Sequence, residues 1–359
     1  MRVLILWAAP EAPNYGVRAL AEGTAALVRR VWPDAECSFH DYGGTAPPVR
    51  IGDPRELARE WVTGTRGLRS WLREFDLVVD TRSGDSFADI YGLPRLATMS
   101  AVAEFVRRSG VPLVLGPQTI GPFESRRGRV LGRTSLRAAT RTMARDHRSA
   151  ALAADLGHPV DARTTDVVFA LDTPARTATR DVVLNVSGLL WQGDRHVDSA
   201  AYRDTVSRLY RELVTRGREV TLLAHVVGWA RGDNDVPAVE EFAAAHEGPV
   251  DVVVPTSLAE VREVVAGASL VLGSRMHACL NALSVGTPAV PLAYSRKFEP
   301  LLQDLGWRHS VDLRAEQAPL EAVLRVLDDE PELTATADDV RRRAQDLLGE
   351  AEKSLRTLR

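Results

Sequence analysis

The residues best suited to chemistry in this chain lie in Leu270-Val-Leu-Gly-Ser-Arg-Met-His-Ala278, a short apolar run that turns into a helix. Ser274 is placed to cap that helix, whose first free N–H groups and positive dipole end suit an anion. Arg275 adds a planar fork of donors that matches a phosphate or carboxylate. His277, two residues on at the same turn, can give or take a proton near neutral pH. An anion-holding arginine beside a proton donor suits group transfer on a phosphorylated substrate. The plainer reading is a capping serine, a surface arginine and a half-buried histidine. Further on, Val290-Pro-Leu-Ala-Tyr-Ser-Arg-Lys297 presents Tyr294 and Lys297, with Glu299 beyond. Lys297 and Lys353 are the only lysines in a chain that otherwise uses arginine. A lysine kept at 297 points to a need for a compact charge.

In open α/β sheets ligands bind beyond the carboxyl ends of the strands, so the loops there are the places to search. The first such loop carries Asn14 and Gly16; either can cap the next helix, and Gly16 permits close backbone approach. The second, Asp80-Thr-Arg-Ser-Gly-Asp-Ser-Phe-Ala-Asp89, gathers Ser83, Gly84, Asp85 and Asp89. The third, Gly116-Pro-Gln-Thr-Ile-Gly-Pro-Phe123, reads as a rigid loop offering Gln118 and Thr119. Arg145-Asp-His-Arg-Ser149 closes a further strand. His225 ends another, and the sequence leaves open whether it is a core histidine or a ligand contact. Asp233 and Asp235 could ligate a cation, but no H-x-x-x-H, C-x-x-C or calcium loop accompanies them. G-x-G-x-x-G, P-loop and G-x-S-x-G elements are absent. Cys279 on an apolar helix reads as a buried structural thiol.

What must position these residues is an α/β architecture of doubly wound parallel sheets. Short β-branched runs alternate with longer amphipathic stretches, the pattern of βαβ units. Strands are predicted at 3–7, 77–80, 113–115 and 142–145, with helices at 17–31, 55–75, 95–109, 126–140 and 148–156. A second series has strands at 182–186, 219–223, 251–254, 270–272 and 289–292, and helices at 199–216, 236–245, 258–266 and 276–285. Ser257 with Glu260 fits a capping box, and Gly286 sits where a helix-ending glycine belongs. The polar stretch Leu171–Arg180, containing Pro174, reads as a linker. It separates a first Rossmann-like domain, 1–172, from a second, 181–359. A charged terminal helix over 335–359 has an apolar stripe and is expected to pack back on the first domain.

The chain's 359 residues suit two domains, with 45% hydrophobic and 26% charged residues. Lys and Arg total 45 against 48 Asp and Glu, a net charge of −3. That balance argues against a nucleic-acid or membrane-surface binder. No apolar stretch approaches the roughly 20 residues of a membrane span. Two cysteines cannot build a disulfide framework, so a soluble protein of the reducing cytoplasm is expected.

Taken together, Gly116-Pro-Gln-Thr-Ile-Gly-Pro-Phe123, Arg145-Asp with Ser149, Ser274-Arg-Met-His-Ala278, and Gly286-Thr-Pro-Ala-Val with Tyr294 and Lys297 resemble the polysaccharide pyruvyl transferase family. Asn14-Tyr-Gly16 and the segment from Ser83 to Gly92 are similar to that family's N-terminal elements, although Arg82-Ser-Gly-Asp85 stands where a glycine pair would be expected. The resemblance implies a GT-B-like fold of two Rossmann-like domains facing across a cleft, the first on the acceptor side and the second on the phosphoenolpyruvate side. It implies transfer of a pyruvyl group from phosphoenolpyruvate to hydroxyls of a sugar or glycoconjugate, forming a ketal. Arg275 would then hold the phosphate or carboxylate, His277 would be the general acid and Lys297 a further anion contact. Ser274, Tyr294, Asn14, Gly16, Asp85, Gln118, Thr119, Arg145 and His225 complete the expected substrate-binding set. No metal or cofactor is needed in that scheme, phosphoenolpyruvate being the donor substrate. The expected partners are that small molecule and a carbohydrate-containing acceptor; association into a homo-oligomer stays open. The alternatives are a GT-B glycosyltransferase with a nucleotide-sugar donor, and a binding protein with a decayed site.

Overall fold

The computed structural model describes all residues except 44–47, 177, 229–232, 247 and 359; residue 177 falls in the expected linker. The chain divides into two compact units. Unit 1 comprises Met1–Glu11, Leu20–Ala170 and Ala344–Arg359, and unit 2 comprises Ala12–Ala19 and Leu171–Arg343. Asn14 and Gly16, read above as a loop of the first domain, thus group with unit 2.

The run through unit 1 is β1 (Arg2–Leu6), α1 (Tyr15–Val31, which begins in unit 2), β2 (Glu36–His40), α2 (Pro54–Thr63), α3 (Leu68–Leu72), β3 (Leu77–Asp80), α4 (Leu93–Ser109), β4 (Leu113–Gln118), α5 (Arg126–Ala138), β5 (Arg141–Ala144), α6 (His147–Asp155) and β6 (Ala162–Arg163). Unit 2 continues with β7 (Arg180–Asn185), α7 (Gly188–Trp191), α8 (Ser199–Thr215), β8 (Val220–Leu223), α9 (Asp235–Ala244), β9 (Asp251–Val253), α10 (Leu258–Gly267), β10 (Ala268–Gly273), α11 (Met276–Ser284), β11 (Ala289–Ala293), α12 (Phe298–Leu305), β12 (Val311–Asp312) and α13 (Pro319–Leu327). The last helix, α14 (Glu330–Arg356), ends in unit 1.

Among the described residues the strands form two parallel six-stranded sheets, ordered β2-β1-β3-β4-β5-β6 and β12-β11-β10-β7-β8-β9. Helical crossovers cover both faces of such sheets, so inner strands read as unbroken apolar runs. β8 and β11 are buried along their whole length. In each sheet the strand order reverses once, between β1 and β3 in unit 1 and between β7 and β10 in unit 2. Such a reversal separates the loops at the strands' carboxyl ends and is where open α/β sheets take ligands. The last register pairs at the two reversals are Leu6 with Asp80 and Asn185 with Gly273.

The sequence patterns miss the edge strands β2, β6 and β12. β2 is half exposed and β6 and β12 span two residues each, too little for a periodic signal. The single helix expected over 55–75 is two, because α2 stops at Gly64, where the backbone turns left-handed. Gly116–Gln118, expected as loop, extends β4, with an irregularity in its pairing to β5 that accommodates Pro117. Ser257 caps α10 as expected, its Oγ accepting from Glu260 N–H at 3.1 Å, but the Glu260 carboxylate receives the N–H of Thr256, one residue before the cap, at 2.8 Å. α14 buries Leu333, Ala337, Val340, Ala344, Leu348, Ala351 and Leu355 at spacings of three and four. Among the described residues no helix is long and apolar enough to cross a membrane.

Gly23 in α1 tests the packing within unit 1. A Cβ there would lie 2.4 Å from Val167 O, a backbone atom that cannot swing away. Alanine improves helix propensity by about 1 kcal/mol, while overpacking costs about 1–3 kcal/mol or more. Gly23→Ala is therefore expected to lower the urea midpoint; an increase would show that the 167 backbone yields.

Candidate active site

At the reversal in unit 2 one carboxylate organises three loops. Asp235, fully buried at the start of α9, receives Gly188 N–H from the loop after β7 at 2.8 Å. Its other oxygen receives His225 N–H at 2.9 Å and Val226 N–H at 3.0 Å, both just past β8. From the end of β10, Arg275 donates Nε–H at 3.1 Å and Nη2–H at 2.6 Å to Asp235 Oδ1. Asp233 lies 2.6 Å from the same Nη2. Asn185, ending β7, completes the lattice: its Oδ1 accepts from Arg275 N–H at 2.8 Å and its Nδ2 donates to Leu223 O at 2.9 Å. Asp233 and Asp235, weighed above as cation ligands, both face the guanidinium of Arg275.

Arg275 is buried and forms the N-cap of α11. Burial lowers its pKa, but the charges of Asp235, Tyr294 and Asp233 outweigh that, leaving the guanidinium above its ordinary value. Ser274 does not cap α11 as expected. Its hydroxyl pairs with Tyr202 Oη at 2.8 Å, which also accepts Ser187 N–H at 2.9 Å. Arg275, the N-cap residue, makes no side-chain hydrogen bond to the opening turn of α11. His277 follows one residue inside the helix, its carbonyl taking Asn281 Nδ2–H at 2.7 Å. Asn281 is in turn fixed by Arg262 of α10 at 3.0 Å.

Gly16, whose N–H donates to Asn14 Oδ1 at 2.8 Å, lies against this histidine. A Cβ on Gly16 would stand 2.8 Å from His277 Nδ1, so a glycine is what lets the start of α1 close on the ring. Tyr15 donates its N–H to His225 O at 3.2 Å, its hydroxyl bonds Pro255 O, and its ring meets the His225 ring edge-on at 5.9 Å. His225 is 1% exposed, and burial followed by the nearness of His277 pushes its pKa down to about 3.

Tyr294, ending β11, contacts His196 edge-on at 5.3 Å. His196 is lowered first by burial and then by the charges of Arg195 and Lys297, which places Lys297 within electrostatic reach of that ring. Beside it opens a cavity of about 280 Å3 whose walls include His196, Tyr202, Thr205 and Arg314. Eight of the expected residues thus fall in unit 2: Asn14, Gly16, His225, Ser274, Arg275, His277, Tyr294 and Lys297.

Gln118, Thr119, Arg145 and Asp85 belong to unit 1. Arg145, 1% exposed, donates Nε–H to Thr119 Oγ1 at 2.9 Å and Nη1–H to Asp166 at 2.7 Å. The segment after it is structural: Asp146 caps α6, and Ser149 Oγ receives Ile120 N–H at 3.0 Å, tying the 116–123 segment to that helix. Asp85 is half-buried and accepts from Tyr91 Oη at 2.8 Å.

Asp235, Asn185, Tyr15, Tyr202 and His196 were not in the expected set. The sequence marks Asp235 only as a candidate cation ligand beside Asp233 and as a carboxylate opening a helix, which reads equally as a dipole partner. Nothing local marks Tyr202, which serves Ser274 from mid-helix.

Removing Asp235 leaves the buried Arg275 charge with only the partly exposed Asp233. Breaking a buried pair costs about 3–5 kcal/mol, so Asp235→Ala is expected near the low end in denaturant unfolding. His225 gives a pH test. Its pKa is about 3 when folded, below the ordinary 6.5, so the unfolded chain takes up the extra proton. Its contribution is complete above pH 6.5 and lost as pH falls from there towards 3, by up to about 1.4 kcal/mol per pH unit. His225→Gln should flatten that slope in stability measured from pH 7 to 4; an unchanged slope would assign it to other groups.

The model of the polysaccharide pyruvyl transferase family matches residues 14–296. No curated protein sequence matches the chain. Among solved structures, HepE of Anabaena in complex with UDP and glucose is similar at TM-score 0.60 and 12% identity, covering 100% of both chains. UDP-GlcNAc 2-epimerase from Neisseria meningitidis bound to UDP-GlcNAc is similar at 0.57 and 11%, covering 98% of this chain and 100% of that one. UDP-GlcNAc 2-epimerase from Methanocaldococcus jannaschii gives 0.57 and 10%, covering 97% and 99%. At these identities the likeness is one of fold, which is GT-B. With more than half of its length matched by the family model, the chain belongs to the polysaccharide pyruvyl transferase family.

Proposed function

We propose that this protein transfers the pyruvyl group of phosphoenolpyruvate to hydroxyls of a carbohydrate acceptor, with the donor held at the start of α11. The observation that carries this reading is the combination of an N-terminus without a side-chain cap, Arg275 fixed at its first turn and His277 one residue inside. The opening N–H groups and dipole of α11 favour an anion. Asp233 and Asp235 take the Nε and Nη2 edges of Arg275 and aim the rest of the fork. Lys297 adds a compact positive charge, and Tyr294 lies close to both Arg275 and His196.

In the proposed reaction His277 protonates the methylene carbon of phosphoenolpyruvate, and positive charge develops on the neighbouring carbon. A sugar hydroxyl bonds to that carbon, and its proton returns to His277. The carbon–oxygen bond to phosphate then breaks, with the electron pair leaving on inorganic phosphate. A second hydroxyl closes the ketal, so one phosphoenolpyruvate and two hydroxyls yield one ketal and one phosphate. Arg275, Lys297 and the helix terminus stabilise charge on the departing phosphate. His225, held neutral by burial, adds no competing cation beside His277. A metal or cofactor has no part in this scheme.

A nucleotide-sugar donor is the second reading, favoured by the GT-B structures similar to this chain that hold UDP or UDP-GlcNAc. Thermal unfolding with each donor separates the two. A ligand at about 100 times its dissociation constant adds about 2.7 kcal/mol, a rise of several degrees. Phosphoenolpyruvate is expected to give that rise in wild type and His277→Ala, and a smaller one in Arg275→Lys, which keeps the charge but loses the fork. His277→Ala should also slow acceptor-dependent phosphate release by about 10²–10⁴-fold. Stabilisation by nucleotide sugars alone would reject the pyruvyl reading.

A further inference from the structure

The strand-order reversal of unit 1, between β1 and β3, carries a second charged group that the reaction above does not use. Just past β3, Arg82 and Ser83 have φ of 46° and 49°, left-handed values that residues other than glycine seldom hold. This backbone folds the Arg82 side chain back beneath its own strand end. Its Nε–H donates to Asp80 Oδ2 at 2.9 Å, its backbone N–H to Asp80 Oδ1 at 3.0 Å, and the guanidinium lies 4.5 Å over the Phe87 ring. Arg82 is 0% exposed, yet Nη1 and Nη2 are both buried with no hydrogen-bond partner among the described residues.

The neighbouring groups extend the pattern. Gln118 donates Nε2–H to Asp80 O at 3.4 Å, while its Oε1 is buried with no partner among the described residues. On the other side Arg95 Nη2–H reaches Ser83 Oγ at 3.4 Å, and Arg95 Nε is also buried without one. Ser83 and Arg95 are only half-buried and form the rim. Buried polar atoms are almost always satisfied, and those of a charged group are the costliest to strand. Burial outweighs the attraction of Arg82 and raises the pKa of Asp80. The missing partner must accept from two coplanar guanidinium nitrogens, which a carboxylate or phosphate does in bidentate fashion. It must also donate to an amide oxygen, which a hydroxyl does.

We propose that Arg82 anchors an anion site in unit 1 that takes the carboxylate or phosphate of an acidic sugar, with Gln118 Oε1 accepting from an adjacent hydroxyl. The site belongs to unit 1 and the proposed donor position to unit 2, and its test does not depend on pyruvyl transfer. Because the donors are enclosed, occupancy opens and then recloses the segment around Ser83 and Gly84.

Calorimetric titration of the full chain with glucuronate, glucose 6-phosphate and glucose tests this. At least one acid is expected to bind while glucose does not, and which acid binds distinguishes carboxylate from phosphate recognition. Hydrogen exchange at residues 82–86 should slow in the presence of that acid. Arg82→Met keeps the stem on Phe87 and should weaken binding at least tenfold, with circular dichroism reporting the fold. If the stranded Asp80 charge unfolds that variant, Asp80→Asn combined with Arg82→Met removes both charges and decides the question. Acids that bind no better than glucose, or as well to the folded variant as to wild type, overturn the proposal and leave an enclosed water as the partner.

Discussion

The Asp235 carboxylate is the contact on which the unit 2 site depends. A carboxylate taken fully out of water carries a desolvation penalty of several kcal/mol, and Asp235 offsets it with donors from three loops. Backbone N–H groups after β7 and β8 and the side chain of Arg275 after β10 all converge on its two oxygens. None of those loops is fixed by its own sheet ladder, because each lies beyond the last register pair. The carboxylate replaces the missing ladder. It also immobilises the guanidinium, which under the proposed function leaves little reorganisation for the reaction itself.

Unit 1 uses the same device with different residues. Arg145 is held by Asp166 and Thr119, and Arg82 by Asp80, again at strand carboxyl ends and again nearly out of solvent. Buried pairs of this kind are weak evidence for stability, since apolar replacements of similar volume often do as well. Their recurrence at the loops where a doubly wound sheet can take ligands therefore argues for a role in orientation. In both units an arginine that sequence alone would place on the surface is turned inward and aimed by an aspartate.

This explains what the sequence reveals and what it hides. The inner strands are legible because parallel strands covered on both faces need unbroken apolar runs, as in Val182–Leu184 and Leu270–Leu272. The edge strand Glu36–His40 lacks that requirement and leaves no such run. Arg275 and His277 are legible because a strand entering a helix fixes where they stand. The partners of Arg275 are not, because Asp235 lies 40 residues away and reads locally as a helix opener. Ser274 misleads for a related reason. A serine before a helix is a good cap by local rules, but Tyr202, 72 residues distant, takes its hydroxyl. Local propensity sees the helix and misses the competitor.

That displaced cap has a chemical consequence. Had Ser274 closed the first turn of α11, its oxygen would occupy the amides best able to receive an anion. Tyr202 holds Ser274 aside, which under the proposed function leaves that turn to an anion, and the two neighbouring histidines differ in their surroundings. His225, sealed behind Tyr15 and bonded through its backbone to Asp235, stays uncharged well below neutral pH. Gly16 meanwhile brings the start of α1 against the His277 ring without a side chain between them. His277 stands one residue into α11, a helix whose opening end favours negative charge. Under the proposed function, His277 as proton donor and the start of α11 as anion seat would share one turn, the arrangement that protonating the methylene of an enol phosphate while releasing its phosphate requires.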